Sequence, residues 1–309
     1  MDRLDTWAIF AAVAEHGSFA GAARALGRSP AAVTRAVAGL ESRLASRLFN
    51  RTTRAVALTD VGARYLDTCR RVLADFAELE ATASGERQQP RGVLNVTAPV
   101  MFGRLHVLPI VQQFLANWPD VDTRLLFLDR VVSLIDEGLD VGVRLGHLPD
   151  SSLRAILAGH VRRCVYASPD YLAHFGEPQT PQDLSRHRCI ACTGVTPIPE
   201  RWTFEHGERR HAVAVRPRVI VNTTDAAIDA ALAALGIVCM LSYQADAHVV
   251  AGRLKRILVT NEPPPLPIHI VHPAGRHLSA KVRLFIDCAT AALRARFGGE
   301  GSHVGNDRP

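Results

Sequence analysis

The hydrophobic positions of the first 44 residues recur at helical spacing in three successive segments. Gly17 ends the first helix, Ser18 caps a short second one, and Ser29 caps a third, in which Pro30 takes the first position, where proline costs no hydrogen bond. The buried stripe of the third helix is predicted to consist of Val33, Val37 and Leu40. This order of helix, short helix, tight turn and helix predicts a helix-turn-helix from about Phe19 to Ala38.

The face of the third helix opposite this stripe is almost bare. Ala31, Arg35 and Ala38 lie on it with Thr34 beside them, whereas a solvated helix face usually carries long charged side chains. A helix in the major groove of DNA must approach the base edges closely, and a central arginine there can hydrogen-bond to guanine. The pattern therefore predicts DNA contact, with plain solvation of the arginine as the alternative. The predicted contacts on this helix are Ser29, Pro30, Ala31, Thr34, Arg35 and Ala38.

Two short apolar pieces in LFNRTTRAVAL predict a hairpin, or wing, after the third helix. Arg51 and Arg54 fall at its tip and are predicted to touch the DNA backbone or enter the minor groove. Between residues 20 and 54 the only acid is Glu41, so this region carries a local excess of positive charge that suits a polyanion. The remaining arginines of the region are predicted phosphate contacts or a solvated rim; they are Arg24, Arg28, Arg43 and Arg47.

A long helix follows, capped by Thr59. Its apolar positions are close to a heptad stripe and consist of Val61, Tyr65, Cys69, Val72, Phe76 and Leu79. Such a stripe requires a partner surface, which is either the same helix of a second copy or the chain's own domain. We favour dimerisation. The polar stretch SGERQQPRG then predicts a linker.

Beyond the linker, strand-like and helix-like segments alternate, which predicts an α/β fold with a largely parallel sheet. The stretch VVSLIDEGL is predicted to be helical, a last helix is predicted over about 279–296, and the terminal GGEGSHVGNDRP is predicted to be disordered.

Composition limits the function classes. The 309 residues are 48% hydrophobic and 21% charged, no apolar run reaches the length of a membrane span, and the first residues are acidic where a signal peptide is basic. We therefore expect a cytoplasmic protein. Its net charge is +6, and all of its 36 basic residues except Lys255 and Lys281 are arginine. Cys189 and Cys192 form a CxxC near His187, but further ligands are missing, so a buried strand is favoured and neither metal nor cofactor is predicted.

The sequence resembles the LysR-type transcriptional regulators over nearly its whole length. The resemblance is carried by MDRLDTWAIFAAVAEHGSFAGAARALGRSPAAVTRAVAGLESRL, by LFNRTTRAVALTDVG, and later by VTAPVMFGR, DVGVRLGHLPDSSL and VNTTDAAIDAALAALGIVCMLSYQ. It implies an all-α winged helix-turn-helix domain (1–59), a dimerising linker helix and hinge (60–91), a two-lobed α/β effector-binding domain like a periplasmic binding protein (92–296) and a disordered tail (297–309). Lobe I would comprise about 92–163 and 268–296, and lobe II about 164–267. Many relatives carry glutamine where this chain has Pro30 and Ala36, which implies fewer direct base contacts.

The same resemblance implies a small-molecule effector between the lobes, such as an organic acid or an aromatic metabolite. The implied effector-binding residues are Thr97, Ala98, Val100, Arg144, Thr193, Asn222 and Thr224. Helix amides near Val100 favour an anion, and Arg144 is a counter-charge. The alternatives are simple N-capping by Thr97 and Thr224, and pairing of Arg144 with an acid between the lobes. The implied partners are a promoter dyad in double-stranded DNA and further copies of the chain in a homodimer or homotetramer, with RNA polymerase as a candidate.

Three rival functions fit the sequence less well. An enzyme is disfavoured because GxSxG, GxxxxGK[ST], GxGxxG and HExxH are all missing from the sequence. A purely architectural DNA binder leaves the long α/β region unexplained. A solute-binding protein does not need a helix-turn-helix.

Overall fold

The computed structural model divides the chain into two units, Met1–Gly92 and Val93–Pro309. The structure describes residues 2–51, 56–83, 89–148, 153–194, 198–206, 209–274 and 278–299.

The N-terminal unit is a helical domain with a short antiparallel hairpin. Its elements are α1 (Arg3–His16), α2 (Phe19–Ala25), α3 (Pro30–Leu44), β1 (Phe49–Arg51), β2 (Val56–Leu58) and α4 (Asp60–Ala83). The Ser18 hydroxyl accepts from the Gly21 amide and the Ser29 hydroxyl from the Ala32 amide, each at 3.2 Å. The predicted helix-turn-helix with a wing is confirmed.

One hydrophobic core holds this unit together. Phe10 lies at its centre, with ring centroids 5.2 Å from Phe49 and 5.6 Å from Tyr65. The indole of Trp7 donates to the Tyr65 hydroxyl at 2.7 Å, and Cys69 is buried in the same core. The first part of the α4 stripe is therefore used inside the unit, whereas Phe76 further along remains exposed.

Two mixed five-stranded sheets organise the C-terminal unit. Sheet I has the order β4-β3-β5-β14-β6, and sheet II has the order β11-β8-β12-β7-β13. The strands are β3 (Gly92–Ala98), β4 (Val121–Phe127), β5 (Val141–Leu145), β6 (Leu153–Val161), β7 (Arg163–Ala167), β8 (Cys189–Cys192), β9 (Arg201–His206), β10 (Arg209–Ala214), β11 (Pro217–Val221), β12 (Ile237–Leu241), β13 (Lys255–Ile257) and β14 (Leu266–Pro273). Strands β9 and β10 form a separate antiparallel hairpin.

Helices cover these sheets. They are α5 (Val100–Phe102), α6 (Leu108–Asn117), α7 (Pro169–Phe175), α8 (Thr224–Leu232), α9 (Ser242–Val250) and α10 (Ala280–Phe297). A π-helical turn, Gly103–Val107, joins α5 to α6, and 3₁₀ turns occur at Pro181–Arg186 and Val259–Asn261. Helix α10 reaches the buried Phe297, one residue beyond the predicted end, and residues 300–309 lie outside the described residues.

Two expectations for this unit are wrong. The sheets are mixed rather than largely parallel, because β14 returns antiparallel to both β5 and β6, and β7 runs antiparallel to β12 and β13. Residues 131–139, predicted to be helical, form turns in which Val132, Leu134 and Leu139 pack against Val271. These leucines and valines serve tertiary packing, which overrides the local helical spacing.

No helix in the described part of the chain is long and apolar enough to cross a bilayer.

Candidate nucleic-acid interface and ligand cleft

Helix α3 presents the face that the sequence predicts. Val33, Val37 and Leu40 are buried, while the opposite side exposes Ala31 and Arg35. The further predicted contacts Ser29, Pro30 and Ala38 are also exposed. The Arg35 side chain makes no hydrogen bond or ion pair with any described residue, so its whole donor fork is open to an external acceptor.

Two positions of α3 are more buried than its exposed face. Thr34 is partly buried, and its hydroxyl donates to the Pro30 carbonyl at 2.9 Å, which leaves its lone pairs as acceptors. Ala36 is 7% exposed and lies in the core of the N-terminal unit. It is therefore a packing residue here, and a long polar side chain at this position would require the core to change. Of the two departures from relatives, only Pro30 alters the exposed face.

The wing is fixed to α3 by Glu41. One carboxylate oxygen of this residue accepts from the backbone amides of Leu48 and Phe49, at 2.8 and 3.1 Å. Gly62 completes the junction, because a Cβ built there would lie 2.1 Å from the Leu48 carbonyl oxygen. Neither role was predicted, although Glu41 stands out as the one acid of a basic region. Arg51 ends β1, but its side chain and the whole of Arg54 lie outside the described residues.

The flanking arginines divide into two groups. Arg28 pairs with Asp5 of α1 at 2.6 Å. Arg24, Arg43 and Arg47 are exposed and make no ion pair within the described residues. Arg24, Arg43 and Arg47 are therefore open to an external acceptor, whereas Arg28 already has a partner.

In the C-terminal unit, a protein carboxylate occupies the position predicted to attract an anion. Strand β3 runs into α5, with Thr97 and Ala98 fully buried and Val100 exposed. The Val100 amide donates to Asp129 at 3.0 Å. The Thr97 hydroxyl caps no helix and has no hydrogen-bond partner among the described residues. Asp129 therefore stands where a ligand carboxylate would bind.

Residues from both sheets meet at this carboxylate. Thr193 is exposed, and its amide donates to the Val221 carbonyl at 2.9 Å. A Cβ built at the neighbouring Gly194 would lie 2.8 Å from the carbonyl oxygen of the exposed Asn222 and 3.7 Å from an Asp129 oxygen. The cleft is formed by Val100, Asp129, Thr193, Gly194 and Asn222. It brings together three of the seven predicted effector residues, which are Val100, Thr193 and Asn222. Asp129 and Gly194 were missed.

Thr224 is held inside the unit rather than at a helix cap. It is 8% exposed, and its hydroxyl accepts from the Gln244 side-chain amide at 3.5 Å. The N-cap of α8 is the preceding residue, Thr223, whose side chain makes no capping bond. N-capping by Thr224 is therefore wrong.

Arg144 is also turned inward. It is 8% exposed, its guanidinium donates to the Val132 carbonyl at 3.1 Å, and burial lowers its pKa from the ordinary value. The ion pair between the two sides of the cleft involves a different arginine. Arg104, in the π-helical turn, lies 3.1 Å from Asp225 at the start of α8. These two residues are 121 positions apart, and only the folded chain brings them together.

Aromatic rings surround a buried histidine beneath the same turn. His106 is 5% exposed, and its centroid lies 4.8 Å from Phe102, 5.3 Å from Tyr243 and 4.9 Å from Phe297. Both ring nitrogens lack a hydrogen-bond partner among the described residues. Burial, helped by the charge of Arg296, lowers the pKa of His106 to about 4, so the ring is neutral at pH 7.

The CxxC cysteines lie in β8, as favoured from the sequence. Cys189 and Cys192 are both buried, and burial raises the pKa of the Cys189 thiol to about 12. The ring of His187 lies 3.3 Å from the Tyr171 hydroxyl.

Two family models match the chain. Residues 4–63 match the bacterial regulatory helix-turn-helix protein of the lysR family, and residues 87–294 match the LysR substrate binding domain. A helix-turn-helix-type transcriptional repressor of Pseudomonas aeruginosa (strain UCBPP-PA14) is 37% identical over 288 residues, which are 93% of this chain and 91% of the relative.

Solved structures agree with these matches. CrgA of Neisseria meningitidis, a LysR-type transcriptional regulator, superimposes with a TM-score of 0.61 at 28% identity, covering 95% of this chain and 99% of that one. Full-length AphB, a virulence activator of Vibrio cholerae, gives a TM-score of 0.61 at 26% identity, covering 94% and 99%.

A winged helix-turn-helix followed by a two-lobed ligand-binding domain defines a DNA-binding regulator of transcription that responds to a small molecule. The chain belongs to the LysR family of bacterial transcriptional regulators. Members of this family are regulators rather than enzymes. The matched domain pair implies that it binds DNA and a small-molecule effector.

Proposed function

We propose that this regulator reads a promoter dyad through α3, with Arg35 as the principal base-contacting residue. The exposed, small-residue face of α3 with one open arginine at its centre is the observation that carries the proposal. Ser29, Pro30, Ala31, Thr34 and Ala38 would lie against the groove. Arg24, Arg43 and Arg47 would contact phosphates, and Arg51 and Arg54 would follow the wing.

The proposed domain division follows the predicted boundaries: 1–59, 60–91 and 92–296, with lobes at about 92–163 plus 268–296 and at about 164–267. Sheet I, which includes the returning strand β14, and sheet II support these two lobes. The protein would act in the bacterial cytoplasm, where its DNA lies, without catalysing a reaction.

We propose assembly into a homodimer or homotetramer through the outer part of α4. Tyr65 and Cys69 pack within their own unit, so they are not available to a second copy. Phe76, 38% exposed, and the half-buried Val72 continue the stripe toward the end of the helix. A second α4 offers the same apolar surface, as in heptad pairing.

The effector would act by shifting the protein between two arrangements of its lobes. This requires that the effector bind the two arrangements with different affinities. The meeting of Val100, Asp129, Thr193 and Asn222 supports a site between the sheets. An organic acid or aromatic metabolite is the proposed class. RNA polymerase is a further proposed partner at promoters where the regulator activates.

The test is a titration of Arg35→Ala against a cognate duplex, identified by genomic footprinting, and against a random duplex. We expect a loss of about 1–3 kcal/mol on the cognate site, and relaxed preference at one base pair, because the bidentate base contact is lost. Arg43→Ala is the matched control and should weaken both duplexes alike. Equal loss on both duplexes for Arg35→Ala would make this residue a phosphate contact and overturn the assignment.

A further inference from the structure

His106 is a buried ionisable side chain that neither the exposed face of α3 nor the cleft uses. It lies in the π-helical turn between α5 and α6, is 5% exposed, and has no hydrogen-bond partner for either ring nitrogen among the described residues. A neutral imidazole carries one N–H donor and one acceptor, and burying both without partners is unfavourable. A leucine would fill the same space without this penalty, so packing alone does not account for the ring.

The aromatic cage around this ring, formed by Phe102, Tyr243 and Phe297, comes from both halves of the C-terminal unit. Phe102 lies in α5, directly after β3 of sheet I, and Phe297 ends α10, which packs on β6 and β14 of the same sheet. Tyr243 lies in α9, which packs on β7 and β12 of sheet II. His106 is therefore a contact point between the elements that cover sheet I and the helix that covers sheet II.

The sheet II side of the cage is attached to the point where the chain crosses between the sheets. Ser242, which precedes Tyr243, donates its amide to the Arg162 carbonyl at 2.8 Å. Its hydroxyl accepts from the Arg162 amide at 3.3 Å. Arg162 lies between β6 of sheet I and β7 of sheet II. A shift of Tyr243 away from the ring is therefore also a shift at the crossing, where the two sheets can change their relative position.

The π-helical turn also carries one partner of the ion pair across the cleft. Arg104, two residues before His106, lies 3.1 Å from Asp225. Gly103 holds the turn close to sheet I, since a Cβ built there would lie 2.4 Å from a ring carbon of Phe127 at the end of β4. Single π-helical turns recur at functional sites. Movement of the ring out of its cage would also displace Arg104 from Asp225, so one short segment links the cage to the cleft.

The charged groups that face the cage do not stabilise a proton on the ring. Arg296 of α10 carries the charge that acts on His106, and it repels a positive ring. Asp246 of α9 is exposed, and the charges of Arg296 and Arg256 act on it. The hydroxyl of Tyr243 is neutral, because burial raises its pKa. A protonated ring in the cage would therefore be a buried cation with neither a counter-charge nor an acceptor.

Acid consequently favours any arrangement in which the ring reaches water. The pKa of His106 is about 4 in the cage and near the ordinary value of about 6.5 in water. Above about pH 6.5 neither arrangement binds the proton, and below it only the open arrangement does. Between pH 7.5 and pH 5.5 this linkage lowers the ratio of caged to open arrangements by about tenfold.

We propose that His106 is a proton-sensitive contact between the two sheets of the C-terminal unit. The neutral ring holds α5 and the π-helical turn against α9. Mild acid releases this contact and favours a different arrangement of the two sheets, in which the Arg104–Asp225 pair is also separated. This response adds a proton to the signals that act on the domain, and it requires neither DNA nor an effector.

The test is amide hydrogen exchange of the full chain at pH 7.5 and pH 5.5, measured by mass spectrometry and corrected for the intrinsic pH dependence of exchange. Protection of peptides covering 100–107 and 241–250 should fall about tenfold at the lower pH, because the open arrangement gains that factor. Strands β3 and β14 should keep their protection, since the sheets move apart without unfolding. His106→Leu, which fills the cage without a titratable group, should abolish the pH dependence of both peptides.

His269→Leu is the matched control. This partly buried histidine of β14 also has a ring nitrogen without a partner among the described residues, and burial lowers its pKa, but it lies outside the cage. The variant should leave the tenfold change in place.

Three results would overturn the inference: unchanged protection of both peptides in wild type, a tenfold change that persists in His106→Leu, or an equal fall of protection in β3 and β14. The last result would mean that the ring affects only the global stability of the unit. If His106→Leu does not fold, the comparison of the two peptides with β3 and β14 in wild type decides alone. No promoter and no effector enter these measurements, so their outcome is independent of the proposed function.

Discussion

The exposed face of α3 and the cleft of the C-terminal unit use their polar groups in opposite ways. On α3, Arg35 and its exposed arginine neighbours have no ion-pair partner among the described residues. At the cleft the Val100 amide is bound to Asp129 and Arg104 is paired with Asp225, and the inward-facing Arg144 donates to the Val132 carbonyl. A surface for a polyanion can keep its donors open to water, but a site for an intermittent small ligand holds internal partners that the ligand must displace. In the proposed function, DNA binding to α3 adds contacts, whereas effector binding in the cleft exchanges them.

The largest expected effect tests how tightly the N-terminal unit, which presents the exposed face of α3, is packed. Gly62→Ala should lower the free energy of unfolding of the N-terminal unit by about 3 kcal/mol, because the new Cβ meets the Leu48 carbonyl at 2.1 Å and backbone cannot move aside. Urea denaturation measures the change. Gly39→Ala is the control, since nothing lies within 4 Å of its Cβ, and it should stabilise α3 by about 0.5–1 kcal/mol. A neutral Gly62→Ala would show that α4 packs only loosely against the backbone at Leu48.

A second prediction distinguishes the two units by the pH dependence of their stability. Burial lowers the pKa of His106 from its ordinary value near 6.5 to about 4, so the unfolded chain binds the proton first as the pH falls. Stability from this group is complete above about pH 6.5 and is lost toward pH 4, by up to about 3 kcal/mol. Only the C-terminal unit should show this loss.

The comparison is His106→Leu, measured by urea denaturation between pH 7 and pH 4. Burial also lowers the pKa of His187, His248 and His269, so some acid sensitivity will remain in the variant. The difference between wild type and His106→Leu isolates the one ring. Parallel pH curves for the two proteins would rule out a contribution from His106.

A smaller effect should follow from removing the carboxylate of the cleft. Asp129→Ala leaves the Val100 amide without its acceptor and should cost about 1 kcal/mol, as for loss of a helix cap. Thermal unfolding checks it, with the exposed Asp120→Ala as control. If the variant is as stable as wild type, the cleft is held by other contacts, and the contrast with α3 does not extend to Asp129.

The smallest effect concerns the pair across the cleft. The side chains of Arg104 and Asp225 are 57% and 63% exposed, so solvent screens their attraction. A double-mutant cycle with Arg104→Gln and Asp225→Asn should give a coupling of about 0.2–1 kcal/mol that decreases in high salt. A coupling several times larger would mean that this pair governs how closely the two sides of the cleft approach each other.

The same contrast explains what could be predicted from the sequence. The face of α3 depends on a cap, a stripe and a turn within about one helix length, so local periodicity identified it. Ala36 was misread because alanine suits buried and exposed positions equally. The cleft needs Val100, Asp129, Thr193 and Asn222 from four separate segments, and an exposed acid such as Asp129 carries no local pattern.

Glu41 has a consequence for which DNA sites the regulator accepts. Its carboxylate accepts from the amides of Leu48 and Phe49 and so ties α3 to the start of β1. In the proposed complex the distance between α3 in the major groove and the base of the wing is therefore fixed. A sequence with the right bases but a groove of different width can satisfy one set of contacts and not the other. The protein would thus select its sites by the local groove width of the double helix as well as by its base sequence.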